Sequence, residues 1–246
     1  MMRATSTWLL VLLGGALLLC PWRIRSSDAV PPGSISVIFR GGSAESLASS
    51  GLLPRLTQSR AAWNGSDLAL IPGAAGEELW NRLATGMVRP SSANLFDAYG
   101  VPVFGSWQAE PDESADLAHL DQAAAVSRRG GSAVVVLGST PATSGGRSPV
   151  FEAAIDLLES SAARGQYGLL LAIPPQGAPA VGTIWAVGPL LKRIPRFRFR
   201  EIDLLPTVLY LAGSPIPPIV AGVPAYDMLS GELIFHHPIE YLGGGI

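Results

Sequence analysis

The stretch that most constrains this chain runs from residue 183 to residue 228. Residues 183–187 (TIWAV) are a short apolar run closed by Gly188-Pro189, the pattern of a buried strand ending in a turn. Residues 192–200 (KRIPRFRFR) alternate cations with Ile and Phe. Residues 201–212 then place Leu205, Val208, Leu209 and Ala212 at helical spacing. Glu201 and Asp203 fall at the helix start, where the dipole favours carboxylates, and Pro206 falls where a helix tolerates it. Gly213 supplies a stop, and Pro215, Pro217 and Pro218 prevent continuation.

Similar strand and helix patterns alternate upstream. Residues 34–39, 68–71, 131–137 and 167–173 read as strands, and the segment 96–107 as a helix end, a turn at Gly100 and a strand. Residues 77–86, 109–130 and 150–163 read as helices; in the last, Phe151, Ala154, Ile155, Leu158 and Ala162 share one face. This alternation predicts an α/β fold, a mostly parallel sheet with helices on both faces. One domain over residues 34–229 accounts for it, with residues 28–33 as a linker and 230–246 as a C-terminal tail. A hydrophobic fraction of 48% against 15% charged excludes disorder over most of the chain. The net charge of −2 gives no reason to expect nucleic acid as a partner.

Residues 1–27 read as a signal peptide or a membrane anchor. Arg3 precedes an unbroken apolar run over 8–20, a length typical of signal peptides and short for a span. Trp8 and Trp22 bracket the run as interfacial anchors, with Arg23 and Arg25 behind them, while Ser27-Asp28-Ala29 offers a small-x-small cleavage site. Either reading places the domain at a membrane or outside the cytoplasm, as an exported, periplasmic or extracytoplasmic protein. The single cysteine, Cys20, lies in this leader, so the domain has no disulfide and no thiolate metal site.

The wording of several motifs is more specific than their periodicity. Ile202-Asp203-Leu204-Leu205-Pro206-Thr207-Val208-Leu209 with Gly213, followed by Ala221-Gly222-Val223-Pro224, resembles a C-terminal signature of the alkaline phosphatase superfamily. The type I phosphodiesterase / nucleotide pyrophosphatase branch, with its D-I-A-P-T-I-L-x-L-L-G and D-G-x-P phrases, is the nearest in wording. Gly51-Leu52-Leu53-Pro54-Arg55-Leu56 resembles that branch's G-x-L-P-N-L, and Trp80-x-x-Leu83-Ala84-Thr85-Gly86 its W-x-S-L-x-T-G. The segment 96–107 resembles A-x-A-G-x-x-V-G-V-x-G-W. The resemblance spans residues 34–228 and implies the superfamily fold without large cap insertions.

It also implies where a site would lie. Two-metal phosphoryl transfer needs about six Asp and His ligands converging on two cations, with a hydroxyl nucleophile between them. At the end of the first strand this chain has Arg40 where the family has a metal-binding Asp. At the nucleophile position it has Ala75-Gly76, which offer no oxygen. Thr140 lies in the loop where an Asp and a His would follow the 131–137 strand. Pro175 and Gln176 replace the Asp and His of S-D-H-G, and Ala178 lies where a last His would be. The expected catalytic and metal residues are therefore none, and no cofactor is expected.

The histidines do not restore a site. His119 reads as a solvent-facing helix residue, and His236-His237 as neighbours pointing apart after a short strand over 233–235. Asn64-Gly65-Ser66 is a glycosylation triplet of low specificity.

The positive feature is the cationic run. An extended 196–200 segment projects Arg196, Arg198 and Arg200 to one side and Phe197 and Phe199 to the other. One reading is an edge strand, charged outside and aromatic toward the core. The other is an anion site for phospholipid headgroups, an envelope polymer or an acidic protein partner. The resulting expectation is an exported or membrane-anchored, alkaline-phosphatase-like pseudoenzyme that acts by binding. The alternative is a metal-dependent hydrolase of phosphodiesters or phosphomonoesters with a remodelled site and two divalent ions such as zinc.

Overall fold

The computed structural model describes residues 33–42, 56, 63–71, 76–88, 94–138, 148–175, 181–192 and 197–242. The leader, Thr140, Gln176, Ala178 and Arg196 lie outside the described residues.

Among the described residues seven strands form one sheet: β1 (Ser34–Arg40), β2 (Asn64–Ala69), β3 (Val103–Phe104), β4 (Ala133–Leu137), β5 (Tyr167–Ile173), β6 (Val181–Val187) and β7 (Phe199–Arg200). Their order is β3-β4-β1-β5-β6-β2-β7. The helices are α1 (Gly76–Thr85), α2 (Leu95–Ala98), α3 (Glu113–Arg128), α4 (Pro149–Ala163), α5 (Leu204–Leu211) and α6 (Gly231–His236), with a 3-10 turn, Glu201–Asp203, leading into α5.

The centre of the sheet holds the strands that are apolar without interruption. β4 and β5 are buried at every residue, as strands covered on both faces must be. Alternation then divides the core. Ile38, Val134, Val136, Leu169 and Leu171 face α1, α2 and α5, where Leu79, Leu83, Phe96, Leu205 and Leu209 meet them. Val37, Phe39, Val135, Leu137 and Leu170 face α3 and α4, where Leu120, Phe151, Ile155 and Leu158 meet them. Each fully buried side chain of this size contributes about 2 kcal/mol.

The sheet is mostly parallel, as expected, with β6 running against both neighbours, β5 and β2. Only residues 174–180 join β5 to β6. A parallel return needs a crossover of about a dozen residues or more, so the short link forces reversal. Every other strand runs the same way. The carboxyl ends of β1, β2, β3, β4, β5 and β7 therefore share one edge of the sheet.

One local expectation is corrected. The apolar segment near residues 233–235 is not a strand; it lies in α6, where the Ser230 hydroxyl caps the Leu233 N–H at 3.0 Å. Leu233 is buried in the core from there. Asn64 is 6% exposed, and its amide donates to the Lys192 carbonyl at 2.7 Å. It opens a strand inside the sheet, so its side chain cannot carry a glycan in this fold.

Candidate functional site

Open α/β sheets build their sites at the carboxyl edge. Here that edge is closed by Arg40, the last residue of β1. Its two terminal nitrogens donate to the carbonyl oxygens of Trp107 and Ala109, beyond the end of β3. A planar fork with fixed donors suits such a pair of acceptors. The neighbour at the end of β4 leaves room for it: a Cβ on Gly138 would lie 2.9 Å from Arg40 Nη2 and 3.0 Å from Pro111 Cα. The Gly138 N–H donates to Asp116 Oδ1 at 3.2 Å, which fixes that strand end. Trp107 is held in turn by its ring, stacked on Trp80 of α1 with centroids 5.8 Å apart. One guanidinium thus ties the end of β1 to the segment after β3 and passes beside the end of β4.

The other described positions of the expected site are farther from chemistry. Gly76 opens α1 with φ 55°, and a Cβ there would meet nothing within 4 Å. Pro175 is exposed beyond β5. His119 corrects the solvent-facing expectation. It is half-buried, its Nδ1 has no hydrogen-bond partner, and a Cβ on Gly105 would lie 3.3 Å from that atom. Among the described residues, no three His, Cys, Asp or Glu side chains approach closely enough to hold a metal ion.

Beside this edge lies a buried ion pair that the sequence reading missed. Arg82 on α1 reaches Glu201 Oε1 at 3.1 Å, and Glu201 is 0% exposed. Glu201 Oε2 accepts the Ile71 N–H at 2.9 Å, just past β2. Arg82 also pairs with Glu78 one turn earlier, at 2.5 Å. The spacing of Glu78 and Arg82 was visible in the sequence. The local sequence around Glu201 points only to the helix dipole, whereas its partner Arg82 lies 119 residues away.

The cationic run lies at the outer edge of the sheet. Among the described residues β7 pairs only with β2, through Leu68 with Phe199 and Ala69 with Arg200. Phe197 and Phe199 are buried, whereas Arg198 and Arg200 are exposed, as alternation requires. On the β2 side the Phe197 N–H donates to Ser66 Oγ at 3.2 Å. On the outer side two aspartates cap the strand. Arg200 N donates to Asp203 Oδ2 at 3.0 Å and Arg198 N to Asp227 Oδ2 at 3.4 Å. Free N–H groups on an edge strand recruit other strands, and these carboxylates prevent it.

Between β7 and the segment 223–227 runs a groove of about 790 Å³, lined by Asp67, Arg198, Arg200, Val223, Tyr226 and Asp227 among others. Its two guanidinium groups differ. Arg200 forms a fork with Asp203, Nε to Oδ2 at 2.9 Å and Nη2 to Oδ1 at 2.7 Å. The Asp203 hydrogen bond raises the Arg200 pKa above its ordinary value. Asp203 also accepts the Val223 N–H at 3.0 Å, so it ties β7 to the far wall of the groove. No carboxylate among the described residues pairs with the Arg198 guanidinium.

No protein-family model matches the chain, and no curated protein matches it. A solved structure does. The crystal structure of a protein in the alkaline phosphatase superfamily from Vibrio parahaemolyticus aligns with a TM-score of 0.50 at 13% identity, over 82% of this chain and 71% of that one. The chain has the alkaline phosphatase superfamily fold. In that alkaline-phosphatase-like frame Arg40 stands at the carboxyl end of a central strand, flanked by β4 and β5.

Proposed function

We propose that this chain is a non-catalytic relative within the alkaline phosphatase superfamily, held at a membrane or exported by its N-terminal segment, and that it acts by binding. The observation that carries this reading is Arg40. A permanent cation at a strand end where the type I phosphodiesterase pattern has a metal-binding carboxylate opposes a divalent ion by Coulomb repulsion, strongly where water is scarce. Its two terminal nitrogens already donate to the Trp107 and Ala109 carbonyls, which supports a structural role for the guanidinium, while its buried Nε has no hydrogen-bond partner. Gly76 adds the same support from α1, since glycine offers no nucleophilic oxygen.

On this reading the ligand occupies the β7 groove. Arg198 is the cation there that no internal carboxylate has taken, so a phosphate- or carboxylate-bearing ligand meets it first. Arg200 serves instead to hold Asp203 and the groove wall.

The test is hydrolysis of an aryl phosphodiester and an aryl phosphomonoester by purified protein with zinc, manganese or magnesium added. The expected result is no turnover above buffer with any metal. Turnover that vanishes with a chelator and survives Arg40→Ala would overturn the proposal.

A further inference from the structure

The opposite edge of the sheet, away from Arg40, gathers cations. The described chain enters the fold there, at Gly33. A Cβ on Gly33 would lie 2.6 Å from the Gly130 carbonyl and 2.8 Å from that of Gly131, so the entry point packs against the turn after α3. Arg128 and Arg129, at the end of α3, are exposed beside it. Arg164, after α4, is exposed and donates to Ser127 Oγ of α3 at 2.7 Å. Lys192 is exposed just past β6, with its carbonyl on Asn64 at the start of β2.

Leu190 lies on the same edge, two residues before Lys192. It is 42% exposed, and it is the one non-glycine residue among those described with positive φ, at 56°. That conformation is unfavourable for leucine. The Ser230 N–H holds it by donating to the Leu190 carbonyl at 3.1 Å. Among the described residues three carboxylates share the region: Glu159, which accepts from Trp63 Nε1 at 3.2 Å, Glu232 on α6, and exposed Glu240, whose carbonyl accepts the Ile216 N–H past the end of α5. The helix starts at the Arg40 edge carry the reverse sign, with exposed Glu77 and Glu78 on α1 and Glu113 on α3.

We propose that this amino edge is a docking surface for an anionic lipid bilayer, with Leu190 entering the headgroup layer alongside the cations. The inference rests on the reading of residues 1–27 as a membrane segment. The apolar run of that segment ends at Cys20, and residues 21–32 separate it from Gly33. Fully extended, that stretch reaches about 40 Å at most. The tether therefore keeps the domain at the lipid surface, and the sign of the charge decides which edge faces it. Each cation near an anionic surface strengthens binding about fivefold.

The test uses the full chain with Cys20→Ser, since Cys20 is the only cysteine. One fluorophore is attached through Ser160→Cys near the amino edge, or through Glu113→Cys at the opposite edge. Vesicles carry nitroxide-labelled headgroups and are made of phosphatidylcholine alone or with phosphatidylglycerol. The expected result is quenching at position 160 and not at 113, present with phosphatidylglycerol and lost without it. Arg128→Gln with Arg129→Gln should weaken that quenching about 30-fold when it is titrated against anionic lipid. Lys192→Gln is the second variant, expected to lose about fivefold, should the double variant fail to fold. Equal quenching at both positions, or equal quenching in neutral vesicles, overturns the docking surface. Flotation on neutral vesicles reads the tether separately. Floating protein whose position 160 stays unquenched on anionic vesicles removes the docking surface and leaves the tether standing.

Discussion

At the end of β1 the Arg40 guanidinium is closed onto carbonyl oxygens of its own chain, whereas at the outer edge of β7 the Arg198 guanidinium lies open on a groove. Arg200, two residues further along that edge, is closed onto Asp203. The side chains are chemically identical, and their roles differ because their donors are spent differently. A fork filled by internal acceptors is a strut. A fork with no internal acceptor is the one available to a ligand. Sequence shows where the arginines stand, but only the packed structure shows which donors remain.

This contrast breaks first at the buried struts. Arg82→Ala leaves Glu201, 0% exposed, without its counter-ion, and should cost about 3–5 kcal/mol. A thermal melt should move down by roughly 10 °C. Glu201→Gln should cost less, because Glu78 still holds Arg82. If Arg82→Ala melts like the parent, the pair does not hold α1 to the 3-10 turn before α5.

The strut at β1 is smaller because it is half-buried. Arg40→Ala strands the Trp107 and Ala109 carbonyls, and water reaches them in part. The expected loss is about 1–2 kcal/mol in urea unfolding with an unchanged slope. Arg40→Lys should recover less than half of it, since an ammonium cannot span two acceptors as a planar fork does. Full recovery by lysine would reduce Arg40 to a point charge.

The finest test separates the neighbours on β7. Arg200→Gln should cost at most about 1 kcal/mol, as its side chain is half exposed. Arg198→Gln should stay within about 0.5 kcal/mol of the parent. Affinity for inorganic pyrophosphate, read by titration calorimetry, should rank them the other way. Arg198→Gln should lose about tenfold, in keeping with a charge-assisted hydrogen bond, and Arg200→Gln clearly less. The reverse ranking would make Arg200 the ligand-facing cation and reopen the groove assignment.

The strand and helix pattern was legible from local order alone. β5 has the bounds its apolar run implies, and α4 begins one residue before the expected start because Pro149 suits a first helical turn. Burial on one or both faces leaves periodicity in the sequence, so elements and fold class could be read there. The alternation of Phe197 and Phe199 with Arg198 and Arg200 likewise predicted their burial. Long-range polar partners leave no such trace. Nothing local to Glu201 points to Arg82, and nothing in the 131–138 segment says that Gly138 leaves room for the Arg40 fork. The low-specificity glycosylation triplet at Asn64 gives no local sign of burial, which comes from the pairing of β6 with β2. Sequence by itself determined which residues are apolar at which period, and through that the α/β layers. Tertiary structure decided which charges are satisfied, because a hydrogen bond or ion pair depends on two groups meeting within about 3 Å across segments whose separation the chain does not encode.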